Sequence, residues 1–308
     1  MVDSFLTTAT ALIQHETNLW TYEGSVTVLY GLFRLPTRMT IIRLSKSNQL
    51  MVISPFPPTD LLQTLLAEIG QVQYIIIPNE HHTFWALTFL AQYPQAYLIA
   101  TCGMKSNEKF QKYIHAYFTN DGLEYNPHCT TTLSFDWPVQ DIEYYCFYHV
   151  KHINEVMFYH RPTSTLIVTD LAFNYYEESS EQRIRAQGFL FRSYLWLADG
   201  YRRACVTKPF RYFFKNDLEG NKQDFDEMLT RYRNFDRLIV AHGMVIEHGG
   251  YDALKSGTYK LFLDCYKKTK ERPRSWSTEA KLGIGLITGT VLLYLCQRYF
   301  SPRSLLTK

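Results

Sequence analysis

Histidine and acidic side chains stand beside several apolar runs of the sequence. Asn79-Glu80-His81-His82 follows the run at 72–77, and the other members of the set are His149, His152, Asp170 and His242. Side chains that bind ligands in α/β proteins gather where strands end. Imidazole nitrogen and carboxylate oxygen are common ligands of zinc and iron. The pattern therefore predicts that these groups could converge on one metal ion.

The order of these groups resembles the metallo-β-lactamase superfamily. That superfamily places H-x-H-x-D-H after an early strand, then a His, then an Asp that ends a strand, then a His near the C-terminus. Several segments are similar to one branch of this superfamily, which is described only as β-lactamase-like domains of unknown function. The similar segments are residues 38–44, 53–55, 72–82, 154–170 and 239–242. The resemblance spans roughly residues 20–265. It implies an α/β fold, the αββα sandwich.

The ligand motif departs from the pattern of the superfamily. Asn79 stands where the first His belongs, while Thr83 and Phe84 replace the Asp and the last His. The resemblance leaves candidate remnant ligands, and they are His81 or His82, His152, Asp170 and His242. It implies either no metal or a single zinc or iron ion. Hydrogen bonding at a hairpin or turn remains an alternative role for His152, Asp170 and His242.

Periodicity and caps predict the elements that carry these residues. Thr59 fits an N-cap for a helix that ends at Gly70, and 72–77 fits a strand covered on both faces. The stretch 104–140 reads as irregular, and 174–236 as mainly helical. We expect an N-terminal segment at 1–19, followed by a metallo-β-lactamase-like domain at 20–266. After the domain we expect a basic linker at 267–281, a transmembrane helix at 282–300 and a polar tail at 301–308.

The C-terminal segment predicts the membrane helix. Residues 282–296 carry no charge, basic residues flank them on both sides, and the helix reaches about 19 residues when it extends to Phe300. A buried terminal helix is the alternative. Gly285 and Gly289 form a G-x-x-x-G pattern, which permits close packing with a partner helix.

Composition excludes some classes of function. The 308 residues carry a net charge of only +3, which does not favour nucleic acid as a partner. The six cysteines include no C-x-x-C pair, so neither a zinc ribbon nor a thioredoxin motif is present.

Two functions remain from the sequence. The first is a non-catalytic accessory or structural subunit of a membrane protein complex, with a mitochondrial membrane as the favoured location. Its partners would be membrane subunits and, through the C-terminal helix, the lipid bilayer. The alternative is a membrane-anchored hydrolase with a single zinc or iron ion, and the lost ligands favour the first.

Overall fold

Two β-sheets face each other, and helices cover the outer side of each. The structure is a computed structural model that describes residues 4–7, 9–28, 33–131, 135–150, 152–175, 204–206, 211, 214 and 217–270. One apolar cluster fills the space between the sheets, and one lies between each sheet and its helices. The predicted αββα sandwich is therefore confirmed.

The first sheet has nine strands in the order β1-β3-β4-β5-β6-β7-β8-β9, with β2 also paired to β3. Its strands are β1 (Ser4–Leu6), β2 (Ile13–Glu16), β3 (Leu19–Val28), β4 (Phe33–Arg43), β5 (Gln49–Ile53), β6 (Gln71–Ile77), β7 (Tyr97–Thr101), β8 (Ala116–Thr119) and β9 (Gly122–Tyr125). From β5 to β8 neighbouring strands run parallel. β6 is thus covered by strands on both sides and by apolar clusters on both faces, as its apolar run predicts.

The second sheet has five strands. They are β10 (Ile142–Cys146), β11 (Val156–His160), β12 (Thr165–Asn174), β13 (Ala204–Cys205) and β14 (Arg237–Gly243). β12 runs antiparallel to β11 and β13 and parallel to β14. The helices are α1 (Asp60–Ile69), α2 (Ala86–Gln92), α3 (Glu108–Gln111), α4 (Leu218–Arg231) and α5 (Gly250–Lys270), with 3₁₀ turns at Cys102–Ser106 and Arg161–Thr163.

The ends of α1 follow from its sequence. The Thr59 side chain accepts a hydrogen bond from the Leu62 amide, which makes it the predicted N-cap. Leu62 and Leu66 lie on one helical face and are buried. A Cβ on Gly70 would lie 2.3 Å from the Asn48 carbonyl oxygen, so the chain approaches too closely there for any other residue.

A large bulge in β12 sets up the functional site. Val168 pairs with Val240 and Phe173 with His242, so β12 advances five residues while β14 advances two. The extra residues of β12 include Asp170. Their amide groups cannot continue the regular ladder, and bulges of this kind often lie next to active sites.

Some sequence predictions differ from the structure. The stretch 104–140 is not irregular throughout, because it contains α3, β8 and β9. β8 and β9 form a hairpin in which Thr119 pairs with Gly122, and each has only four residues, too few for a periodic signal. The sheet also begins before the expected boundary at residue 20, because β1 and β2 both pair with β3.

The predicted membrane segment lies outside the described residues. This applies to Gly285, Gly289 and the whole of 271–308, and to most of the stretch 174–217. In the part of the chain that the structure does describe, no helix combines the length and the apolar character needed to cross a bilayer.

Candidate metal centre

Three of the predicted side chains meet at one edge of the sandwich. His82 lies in the loop between β6 and α2, Asp170 in the bulge of β12 and His242 near the end of β14. The Asp170 carboxylate lies between the two rings: its Oδ1 is 3.1 Å from His242 Nε2 and its Oδ2 is 3.5 Å from His82 Nε2. All three donor atoms lie within 4.8 Å of one another.

Both rings are held by hydrogen bonds on the far side. His242 Nδ1 donates to the Pro36 carbonyl oxygen at 2.8 Å, and Phe173 stacks on the ring with centroids 4.8 Å apart. His82 Nδ1 hydrogen-bonds the Ser54 hydroxyl. A carbonyl can only accept, so the proton of neutral His242 resides on Nδ1 and the Nε2 lone pair faces Asp170. A cation, either a proton or a metal ion, is needed between them.

The charge state of Asp170 agrees with this requirement. Burial raises its pKa, but the charges and hydrogen bonds of His82 and His242 outweigh burial and hold the pKa well below the usual value. Side-chain exposure is 11% for His82, 3% for Asp170 and 5% for His242, so the centre is nearly closed to solvent.

A second carboxylate, Glu155, lies behind Asp170. Its Oε1 accepts the Thr169 amide at 2.7 Å, while its Oε2 accepts the amides of Asp170 at 2.7 Å and Leu171 at 3.1 Å. Glu155 is completely buried. Burial and then the charge of Asp170 raise the pKa of Glu155 to about 8, and the N–H donors around it act in the opposite direction.

Asn79 joins the two carboxylates. Its Nδ2 donates to Glu155 Oε2 at 3.1 Å and to Asp170 Oδ2 at 2.8 Å. Its Oδ1 accepts the backbone amides of His81 and His82, at 2.9 and 3.0 Å. Asn79 therefore shapes the loop and holds the acidic pair.

The structure does not bring the other two candidate ligands to the group. His81 does not belong to the group of three donors, and burial lowers the pKa of its imidazole. His152 is exposed and has a left-handed backbone with φ of 69°. Of the two alternatives that the sequence left open, His82 is the one that lies with Asp170 and His242.

The donor set fits one divalent ion. Two imidazole nitrogens and one carboxylate are a known combination for zinc with a fourth position open, and also for non-haem iron. The ring hydrogen bonds to Pro36 and Ser54 are the outer contacts that orient metal-binding histidines. Among the described residues, no second group of three such donors meets the same distance limit.

Solved structures with this fold are metallo-β-lactamases. TMB-1 covers 83% of this chain and 97% of its own, with 11% identity and a TM-score of 0.51. VMB-1 covers the same shares, with 12% identity and a TM-score of 0.50. FIM-1 of Pseudomonas aeruginosa in its mono-zinc form has 9% identity, coverage of 85% and 96%, and a TM-score of 0.48. At such low identity the likeness extends to the fold alone.

The fold is thus similar to that of metallo-β-lactamases, and the site offers a group of three possible metal ligands. Residues 16–186, more than half of the chain, match the family described as "Domain of unknown function (DUF4336)", and the chain belongs to that family. No curated protein matches the sequence.

Sequence reasoning did not find Glu155 or Ser54 and treated Asn79 only as a lost ligand. A sequence signal existed for Glu155, since a single acidic residue opens the apolar run Val156–Phe158. A charge at such a position is rarely buried without hydrogen bonds.

Proposed function

We propose that this domain holds one zinc or iron ion at His82, Asp170 and His242 and serves as a non-catalytic subunit of a membrane protein complex. The arrangement of the three donor atoms around Asp170 carries the metal half of the proposal. The near closure of the same three side chains to solvent supports a structural ion, because a catalytic centre must admit its substrate.

Among the described residues, the carboxylates near the loop are engaged by other hydrogen bonds, which supports the non-catalytic role. Metal-assisted hydrolysis needs a group that takes a proton from the attacking water. Thr83 stands where the superfamily motif has its Asp. Two other carboxylates lie near the loop, but Glu155 is engaged by backbone amides and Glu80 by the Asn154 side-chain amide.

The membrane location rests on the C-terminal sequence. The uncharged run, its basic flanks and the small residues Gly285 and Gly289 support a single span at 282–300 that packs against partner subunits. A mitochondrial membrane is the favoured location because the span is short and moderately apolar.

The alternative function is that of a single-metal hydrolase. The combination of donors at His82, Asp170 and His242 supports this alternative. Two histidines and a carboxylate leave a coordination position open. A divalent ion there would act as a Lewis acid toward a bound carbonyl or phosphoryl group. In that case His82 and His242 would hold the ion and Asn79 would fix the carboxylate of Asp170.

Metal analysis combined with turnover assays separates these functions. We expect about one zinc or iron ion per full-length chain, its loss in His242→Ala, and no hydrolysis of ester, amide or phosphodiester substrates. His248→Ala is the matched control, since the His248 side chain is 84% exposed and pairs with Asp236 at the surface. Turnover that disappears in His242→Ala but not in His248→Ala would establish the hydrolase instead. A metal-free, folded wild type would refute the metal half of the proposal.

A further inference from the structure

The amides of three consecutive residues in the β12 bulge converge on one side chain. Thr169, Asp170 and Leu171 all donate their backbone N–H groups to Glu155, which is 0% exposed. A bulge of this length leaves such donors without partners in the ladder, and an unpaired buried N–H is costly. Glu155, the residue immediately before β11, therefore supplies the hydrogen-bond acceptor that the neighbouring strand does not.

The Glu155 carboxylate is also linked to the Asp170 side chain by a bridging hydrogen-bond donor. Asn79 Nδ2 bridges Glu155 Oε2 and Asp170 Oδ2. The backbone of Asp170 is thus fixed directly by Glu155, and its side chain is fixed through Asn79. The position of Oδ1, which faces His242, depends on both contacts.

We infer that Glu155 is a positioning residue that sets the geometry and the affinity of the metal centre through Asp170. The inference rests on the proposed metal binding and deepens it. Outer contacts of this kind typically change metal affinity by 10–100-fold when they are removed.

The substitution Glu155→Gln removes the positioning role of Glu155 and leaves the size and shape of the side chain almost unchanged. An amide has one acceptor oxygen, whereas the Glu155 carboxylate accepts on both of its oxygens. Whichever way the amide turns, its NH₂ group faces at least one N–H donor of the bulge. Glu143→Gln is the matched control, because Glu143 lies on neighbouring β10 and pairs with Arg161 away from the centre.

The test is a titration of full-length protein with Co²⁺ as the probe, with a competing chelator and the visible Co²⁺ absorption as readouts. We expect Glu155→Gln to bind Co²⁺ about 10–100-fold more weakly, with a changed spectrum, and Glu143→Gln to match the wild type. If folded Glu155→Gln retained wild-type affinity and spectrum, Glu155 would be purely structural and the inference would be wrong. Wild-type protein that binds no Co²⁺ or zinc would refute the proposed metal binding, which is a separate outcome.

Hydrogen exchange on the wild type keeps the inference testable if Glu155→Gln does not fold. We expect the amides of Thr169, Asp170 and Leu171 to exchange slowly without metal and more slowly with zinc. Exchange that zinc leaves unchanged would contradict the coupling between the bulge and the centre.

Discussion

Replacement of Asn79 by alanine should be among the most destabilising substitutions in the chain. The side chain is fully buried and makes two hydrogen bonds to carboxylates and two to backbone amides. Bonds to charged groups contribute about 1.5–3 kcal/mol each and neutral ones about 1 kcal/mol, which sets an upper limit of about 8 kcal/mol. A water in the vacated space would restore part of this. We therefore expect Asn79→Ala to lower the free energy of unfolding by about 4 kcal/mol.

Urea denaturation of the metal-free protein measures this loss, and Asn126→Ala provides the control. Asn126 is also buried, and its side chain makes three hydrogen bonds, all to neutral backbone groups of Gln111, Ile114 and His128. Its replacement should cost about 2 kcal/mol. If Asn79→Ala cost no more than Asn126→Ala, the two carboxylates would not depend on Asn79, and the account of the acidic pair would be wrong.

Three further predictions concern other parts of the chain. Gly243→Ala should destabilise the fold by at least 2 kcal/mol in urea denaturation, because a Cβ would lie 1.8 Å from the Asn174 carbonyl oxygen at φ of 104°. The control Gly122→Ala, at φ of 132° with open space around it, should lose only about 1 kcal/mol. Equal losses in the two variants would contradict the close approach at Gly243. Burial lowers the pKa of His160 from 6.5 to about 4, so the unfolded chain gains its proton first as the pH falls. The contribution of this residue to the free energy of unfolding should then be fully present above pH 6.5 and decline by about 3 kcal/mol toward pH 4. In urea denaturation at a series of pH values, the free energy of unfolding of His160→Phe should fall less steeply with pH than that of the wild type. An equally steep fall would refute the prediction. Deletion of 282–300 should release the protein from membranes on carbonate extraction, and retention in the pellet would contradict the predicted span.

The residues of the metal centre could be predicted in part. The apolar run of β6 and the polar residues after it placed His82 just beyond a strand, and the run of β14 placed His242 near a strand end. Asp170 was expected to end its strand, but β12 continues through the bulge to Asn174. The strands could be predicted because buried strands have a local signature, an apolar run followed by turn residues.

The rest of the centre depends on contacts that no local pattern encodes. The bulge in β12 exists because of its register against β14, and its amides are satisfied by Glu155, which is 14–16 residues earlier in the chain. The loop that carries His81 and His82 is shaped by Asn79, whose Oδ1 accepts the backbone amides of both residues. Spacing along the chain therefore could not distinguish His81 from His82 or remove His152 from the ligand set.

The hydrogen bonds of Asn79 explain how the structure uses the residue that departs from the motif of the resemblance. Where the motif would place a histidine, Asn79 donates to two carboxylates instead of offering a lone pair to a metal ion. An amide nitrogen donates and does not ligate. Among the described residues, one group of three possible metal ligands comes together, and it is formed by His82, Asp170 and His242.

The metal content of full-length protein, measured by mass spectrometry of the elements after purification without added metal, tests the central claim most directly. One zinc or iron ion per chain that falls below about a tenth in His242→Ala is the result predicted by the His82–Asp170–His242 centre. Two ions per chain, or one ion that persists in His242→Ala, would contradict it.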